Sequence, residues 1–384
     1  MNERTVLECI RRLGPISRAQ ISRKAGLSKP TVSLALTALD AARLVREAGR
    51  TSGGKGPTAV LYEINPAAGW VVGIDVGREH VRAAMADLNG TVVARRDEAA
   101  ETRSAATLIG EIGRLARATV EDAGRRWRDV NVVAVGSPGV FERDGDHPAL
   151  AYNLPGWNRQ GLLDAVRDEL RTAVVFENDV NLAALGEREH GIGKDVADFV
   201  YLHLGTGVGM GVVIGGELYR GASGAAGEIG YLPLADADPH DRANRRRGAL
   251  ESAIGAAGIV KDARREGMGG ALTAAKVFEA ARAGDPRAVA TVERLGQRIA
   301  LAIAAIVPVL DPALVIVGGG VGRNLDVLRR PIERELLTVS PFTPRIEGSI
   351  LQEDAELTGA VVFALGAARE HLFDRGHGRK KVAV

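Results

Sequence analysis

The amino-acid sequence predicts an α/β protein of two parts, a small N-terminal module of three helices and a hairpin followed by a larger body. Its 384 residues exceed the size at which one hydrophobic core keeps growing. Residues 1–65 carry 11 Lys and Arg against 5 Asp and Glu, or +6, whereas the rest carries 39 against 43, or −4. Two buried-strand patterns in the body each end in a glycine-rich loop, which indicates a duplicated fold.

The composition is that of a globular protein, with 46% hydrophobic and 26% charged residues. The longest apolar run, residues 299–310, is shorter than the roughly 20 residues that span a bilayer, and it contains Pro308. Because no apolar segment follows the first residues, we expect a cytoplasmic protein without a membrane segment. The single cysteine, Cys9, excludes an internal disulfide and any site built from several thiolates.

Apolar residues at helical spacing open the N-terminal module and predict a first helix, which Gly14 and Pro15 end. These residues are Val6, Leu7, Ile10 and Leu13. Ser17 followed by Gln20 is a capping box, so a second short helix begins there and ends at Gly26.

Ser28 is the N-cap of a third predicted helix, in which Pro30 lies in the first turn, where proline is tolerated. Two short helices joined by a glycine-containing turn form a helix-turn-helix, whose second helix enters the major groove of DNA. We expect Val32, Leu36 and Leu39 to face the core. The residues predicted to contact DNA from the exposed face are Ser28, Lys29, Thr31, Ser33 and Thr37.

Two alternating segments, residues 44–47 and 60–64, predict a hairpin with a basic, glycine-rich connection. Such a hairpin is the wing of a winged helix-turn-helix, and we predict that its Arg50 and Lys55 contact DNA. The expected assembly is a symmetric homodimer on a palindromic operator, or a dimer of dimers. The alternative is that the helices and the hairpin only pack together.

The body begins near residue 66, so we predict domains at 1–65 and 66–384. Its first strand pattern, residues 70–77, includes Asp75 and ends in a tight turn, and the second, 199–204, runs into a loop with four glycines. A third glycine loop covers residues 318–320. Glycine allows positive φ and lets backbone N–H groups approach an oxyanion, so such loops can hold phosphates. Each loop alone is weak evidence, because glycine turns are common.

In combination these motifs resemble the ROK family, which comprises repressors, uncharacterised reading frames and sugar kinases, and the resemblance covers nearly the whole chain. It implies a winged helix-turn-helix followed by a two-lobed, actin-like ATPase domain of the sugar-kinase type, with the C-terminal helix returning to the first lobe. It also implies a repressor of carbohydrate-metabolism genes, whose partners are operator DNA and a small sugar or sugar-phosphate effector.

The resemblance further implies the residues of a sugar site. Segments 132–140, 153–157 and 177–187 are similar to the sugar-side motifs of the family. The implied sugar-binding residues are Gly139, Asn153, Asn178, Asp179, Glu228 and Glu251. Asp179 lies at the position of the family's catalytic base, so it either deprotonates a sugar hydroxyl or only binds one. For each carboxylate, a solvated surface position is the alternative.

The chain departs from the family at the first loop, where kinase members have Asp-x-Gly-Gly-Thr-Lys. Here Arg78 and Glu79 replace the second glycine and the threonine. A side chain obstructs the approach of the backbone to phosphate, and the carboxylate of Glu79 repels it. We therefore expect no phosphoryl transfer, no enzymatic activity and no bound cofactor.

The family also carries a structural zinc held by one His and three Cys. By alignment, the four ligand positions are Tyr231, Arg242, Asn244 and Ala249. None of these side chains is a soft ligand, so we expect no metal.

These features predict a sugar-responsive DNA-binding regulator in which the kinase-like domain is an inactive sensor. An active ATP-dependent sugar kinase with a DNA-binding arm is the alternative, and the altered first loop argues against it. A third interpretation is a DNA-binding protein whose body only dimerises. In the sensor interpretation, sugar binding changes the angle between the lobes and thereby the spacing of the two recognition helices.

Overall fold

A computed structural model describes residues 2–51, 58–101, 103–142, 145–152, 154–233, 238 and 240–376. Two predicted site residues, Lys55 and Asn153, lie outside these ranges. The chain forms two compact units. The first contains the residues up to Val135, Leu163–Phe176 and those from Ala360 onward, and the second contains Gly136–Leu162 and Glu177–Gly359.

The N-terminal module has the predicted helix-turn-helix and a wing. Its elements are α1 (Asn2–Leu13), β1 (Ile16–Ser17), α2 (Arg18–Ala25), α3 (Lys29–Ala41), β2 (Val45–Arg50) and β3 (Val60–Ile64). The strands form an antiparallel sheet of order β1-β3-β2. The capping box is confirmed, because the Ser17 side chain accepts a hydrogen bond from the Gln20 backbone N–H and the Gln20 side chain accepts one from the Ser17 N–H.

Helix α3 buries one face and exposes the other. Val32, Leu36 and Leu39 are buried, as predicted, and α3 packs against α1 and α2. Gly26, in the left-handed conformation, ends α2, and Ser28 caps α3. The core therefore holds α3 by one apolar face and leaves the opposite face accessible.

The first sheet of the body lies mainly in the first unit. Its elements and the helices between them are β4 (Trp70–Val76), β5 (His80–Asp87), β6 (Val92–Ala99), α4 (Ala105–Asp122), β7 (Val130–Ser137), α5 (Leu162–Leu170) and β8 (Ala173–Asn178). The strand order is β6-β5-β4-β7-β8, and β4, β5 and β6 are antiparallel to their neighbours in this group.

The second sheet lies in the second unit and repeats the order of the first. The remaining elements are α6 (Asp179–His190), β9 (Phe199–Leu204), β10 (Val208–Ile214), β11 (Glu217–Leu218), α7 (Arg242–Arg247), α8 (Ala249–Ile254), α9 (Ala256–Arg265), α10 (Ala274–Arg282), α11 (Pro286–Leu310), β12 (Leu314–Gly318), α12 (Gly319–Gly322), α13 (Leu325–Val339), β13 (Arg345–Gly348) and α14 (Ala355–Gly376). The strand order is β11-β10-β9-β12-β13. Each sheet thus runs third, second, first, fourth, fifth in chain order, which confirms the predicted duplication.

Helix α14 begins in the second unit and belongs to the first from Ala360 onward. The boundary predicted between residues 65 and 66 stays a prediction. Among the described residues, no helix has the length and apolar character needed to cross a membrane.

Candidate functional site

Asn178 joins two of the predicted sugar-side segments in the second unit. Its Oδ1 accepts hydrogen bonds from the backbone N–H groups of Val180 (2.9 Å) and Asn181 (3.1 Å), and its Nδ2 donates to the carbonyl of Gly139 (3.0 Å). Gly139 has a φ of +111°, and a Cβ there would lie 2.8 Å from the carbonyl oxygen of Ala149. Most of the hydrogen-bonding capacity of Asn178 is therefore used within the protein, which makes it a positioning residue.

Glu177 stabilises this junction through hydrogen bonds, a role that the sequence analysis did not predict. It is buried, and its Oε1 accepts from the backbone N–H of Asn178 and from Nδ2 of Asn181, both at 2.9 Å. Its Oε2 accepts from Nε of Arg220 at 2.6 Å. These bonds fix the end of β8 and the start of α6, where Asp179 begins the helix.

Asp179 lies within electrostatic range of His203 and Glu356, two residues that the sequence analysis did not predict. Its Oδ1 accepts from the Val180 backbone N–H at 2.9 Å. Burial raises the pKa of the Asp179 carboxyl, His203 lowers it, and the negative charge of Glu356 raises it. His203 Nδ1 lies 3.6 Å from Oε1 of Glu356. His203 therefore lies close to Glu356 and within electrostatic range of Asp179.

His203 lies where two of the predicted glycine loops converge. A Cβ on Gly205 would lie 2.7 Å from its Nε2, and one on Gly319 would lie 3.0 Å from its Cε1. The imidazole thus fills space that these glycines leave open. A histidine two residues before a glycine loop is a usable sequence signal, whereas Glu356 lies far along the chain and belongs to no motif.

The other two predicted carboxylates lie within electrostatic range of Asp179 or of each other. Oε2 of Glu251 accepts from the Val208 backbone N–H at 3.1 Å, and Oε1 lies 3.5 Å from Nε of Arg247. Burial raises the pKa of Glu251, while these two contacts lower it. Burial, followed by the charges of Asp179 and Glu251, raises the pKa of Glu228 to about 7. Near neutral pH, Glu228 can therefore both donate and accept a hydrogen bond, as a sugar hydroxyl requires.

The raised pKa of Glu228 makes the stability of the protein depend on pH. The folded state holds this proton more tightly than the unfolded chain, so the stability that Glu228 contributes is complete below its ordinary pKa of 4.5 and is lost as pH rises through about 7. We expect the melting temperature of the wild type, relative to Glu228→Gln, to fall by a few degrees between about pH 5 and about pH 8. Thermal unfolding of both proteins across this range measures the difference, and a constant difference would contradict it.

Next to the first glycine loop, in the first unit, the carboxylate of Asp75 forms an ion pair with Arg82. Asp75 and Arg82 are cross-strand partners of β4 and β5, and Oδ2 of Asp75 lies 2.6 Å from Nη2 and 2.9 Å from Nε of Arg82. Asp75 is 4% exposed, whereas Arg78 and Glu79 lie exposed in the turn. The carboxylate is thus neutralised internally, and side chains stand where kinase members have glycine and threonine. This loop therefore differs from the phosphate loop of kinase members in its side chains.

Two of the four residues at the family's zinc positions make ordinary side-chain hydrogen bonds. Tyr231 donates through its hydroxyl to the carbonyl of Arg246 at 3.1 Å, and Asn244 Nδ2 donates to the carbonyl of Asp238 at 2.8 Å. In the part of the chain that the structure describes, no group of three or more His, Cys, Asp or Glu side chains is arranged to hold a metal ion. The side chains at these positions do not fit a structural zinc.

Three of the hydroxyls predicted to contact DNA already have partners within α3. The Ser28 hydroxyl accepts from the Thr31 backbone N–H at 3.3 Å and lies 2.7 Å from the Thr31 hydroxyl. Thr37 donates its hydroxyl to the Ser33 carbonyl at 3.0 Å. Because these groups cap or brace the helix, they are less available to donate to bases than the sequence suggests.

The predicted DNA-contacting surface also includes groups with other chemistry. Lys29 at the start of α3 and Arg50 at the end of β2 are both exposed. Leu34, in the second turn of α3, has 75% of its surface exposed. The sequence-based selection of polar residues missed this side chain.

Comparison with known proteins places the chain in one described family. The ROK family model matches residues 71–367. A glucokinase of Halalkalibacterium halodurans is 31% identical over 280 residues, which cover 69% of this chain and 84% of the glucokinase. A xylose repressor of Caldicellulosiruptor bescii is 26% identical over 386 residues and 95% of both chains.

Solved structures show the same architecture. A ROK family transcriptional regulator, a homologue of the Escherichia coli MLC protein, superposes with a TM-score of 0.82 at 21% identity over 98% of both chains. A ROK family glucokinase from Streptomyces griseus, in complex with glucose and AMPPNP, superposes with a TM-score of 0.62 at 28% identity, covering 77% of this chain and 99% of that one. The predicted fold class is therefore confirmed.

Proposed function

Because the chain belongs to the ROK family, we propose that it is a sugar-responsive DNA-binding regulator, a repressor of carbohydrate-metabolism genes, with a kinase-like sensor domain that does not phosphorylate its ligand. The observation that carries this proposal is the combination, in one chain, of a winged helix-turn-helix and a site of convergent carboxylates. The xylose repressor relative supports it, because its similarity extends over 95% of both chains.

The charge of the site favours an unphosphorylated sugar. Asp179, Glu228, Glu251 and Glu356 contribute carboxylates, against which stand His203 and the Arg247 that pairs with Glu251. A phosphate group would be repelled in a partly buried region, whereas neutral hydroxyls can donate to the carboxylates. Between the two effector classes implied by the family resemblance, we therefore place the neutral sugar first.

Two measurements test the proposed regulator. DNA that binds the full-length protein is selected from a random library, and its affinity is then measured as a function of salt. In parallel, xylose, glucose and their phosphates are compared by thermal shift, because a ligand that binds only the folded state raises the melting temperature. A palindromic site with steep salt dependence, together with a stabilising neutral sugar, is the expected result. Absence of any preferred DNA site would refute the regulator.

An active sugar kinase with a DNA-binding arm is the second candidate. Asp179 favours it, because this carboxyl occupies the family's base position and its pKa is raised by burial. The glucokinase relative, 31% identical, favours it as well. Against it stand the exposed Arg78 and Glu79 and the internal pair of Asp75 with Arg82.

We expect no ATP-dependent phosphorylation of any sugar that stabilises the protein. Phosphoryl transfer depends on positioning and on neutralising the phosphate charge; in the first loop, the side chains of Arg78 and Glu79 hinder the first, and the carboxylate of Glu79 opposes the second. Production of ADP is measured with the full-length protein at saturating sugar, and the sugar-induced thermal shift of the same sample shows that the site is intact. Turnover of order 1–100 per second would establish the kinase instead.

A further inference from the structure

Leu34 is an apolar side chain in the middle of the predicted DNA-reading surface. It lies in the second turn of α3, nearly opposite the face that Val32, Leu36 and Leu39 bury in the core. With 75% of its surface exposed, the Leu34 side chain is largely accessible to solvent. Single exposed apolar residues are common on proteins, so its position on this helix is what gives it meaning.

The neighbours of Leu34 leave a gap in the polar chemistry of this surface. Thr37, one turn later on the same face, donates its hydroxyl to the Ser33 carbonyl. Ser28 and Thr31, one turn earlier, are hydrogen-bonded to each other. The centre of the helix therefore presents a methyl-rich side chain between braced hydroxyls.

The major groove of DNA contains one apolar feature, the C5 methyl group of thymine. A leucine at the centre of a recognition helix can gain free energy from it only where thymine stands, since the other bases present donors or acceptors at their groove edges. The surrounding module is positively charged, at +6 over residues 1–65, so its occupant is a polyanion.

We propose that Leu34 reads a thymine methyl group in each half-site of the operator and is a specificity-determining residue. This inference rests on the proposed DNA binding. In this proposal an apolar contact from Leu34 recognises one base, whereas Lys29 and Arg50 bind the phosphate backbone through their positive charge.

The test replaces thymidine by deoxyuridine, one position at a time, in the DNA site selected with the full-length protein. This substitution removes the C5 methyl group and leaves base pairing unchanged. At the thymine that Leu34 contacts, we expect the substitution to weaken binding by the wild type about fourfold in each altered half-site. The reason is that one buried methyl group is removed. Leu34→Ala should bind the thymine and uracil sites equally well, whereas Leu34→Met should still prefer thymine.

Leu13→Ala is the matched control, since Leu13 is an exposed leucine on α1 of the same module. It should keep the full preference for thymine. If the wild type binds a specific site but tolerates uracil everywhere, the inference is wrong and the regulator assignment stands. If Leu34→Ala retains the preference, another residue reads the methyl group and the inference is again wrong. Absence of any specific site would instead refute the proposed function.

Discussion

Removal of residues 1–65 is expected to abolish sequence-specific DNA binding, with a loss of at least about 10³-fold in affinity for the selected site. The remaining chain has a net charge of −4 and lacks the helix-turn-helix, so it should be repelled by the phosphate backbone. Fluorescence anisotropy of labelled DNA measures the affinity of both chains. A sugar-induced rise in melting temperature shows that the shortened chain is folded, and unaltered specific binding by it would reject the assignment of this module.

Charge neutralisation tests the same assignment in the full-length protein. Lys29→Ala combined with Arg50→Ala removes two exposed cations from the predicted DNA surface. Each lost phosphate contact should reduce the slope of log affinity against log salt by about one. Arg159→Ala combined with Lys194→Ala removes the same charge from exposed positions of the second unit and should leave the slope unchanged. Equal effects of the two pairs would mean that net charge, rather than the module, governs binding.

Local signals predicted much of the fold because they act over a few residues. The reciprocal hydrogen bonds of Ser17 and Gln20 begin α2 where the capping box placed them, and Gly26 ends it. The pattern of residues 199–204 became β9 with the same limits. Two such strand-and-loop units also indicated a duplicated fold, and the two sheets have the same strand order.

Contacts between segments that are distant in the chain were not predicted from the sequence. Nothing in the sequence around Glu356 indicates that α14 brings it next to His203, because that contact depends on tertiary packing. The pair of Asp75 and Arg82 could have been predicted, because the turn after Gly77 sets the register in which these residues face each other. Asn178 was predicted to bind sugar, and the hydrogen bonds it makes as a helix cap assign it a positioning role; its direct contact with sugar stays a prediction.

Binding of the effector sugar is expected to change operator affinity by roughly 5- to 150-fold, the usual range for coupled sites. The proposed link between the two proposed functions is α14. Oε1 of Glu356, at its start, lies 3.6 Å from Nδ1 of His203 in the candidate site. Near its end, Glu370 lies 4.0 Å from Arg4 of α1, and the Arg4 guanidinium lies over the Phe373 ring at 5.4 Å. We propose that a sugar favouring one conformation of the candidate site biases the proposed DNA-binding module through this helix.

Asp179→Asn should abolish this response and leave DNA binding without sugar intact. The substitution keeps the size of the side chain, but it removes the negative charge and replaces one acceptor oxygen by an NH2 donor, which weakens the hydrogen bonds from sugar hydroxyls. Operator affinity is measured with and without the stabilising sugar for the wild type, Asp179→Asn and the control Asp164→Asn, which changes an exposed carboxylate of α5. Because coupling is reciprocal, operator DNA should change the sugar affinity of the wild type by the same factor. Equal operator affinities in the wild type would reject the coupling, and an undiminished response in Asp179→Asn would reject the site.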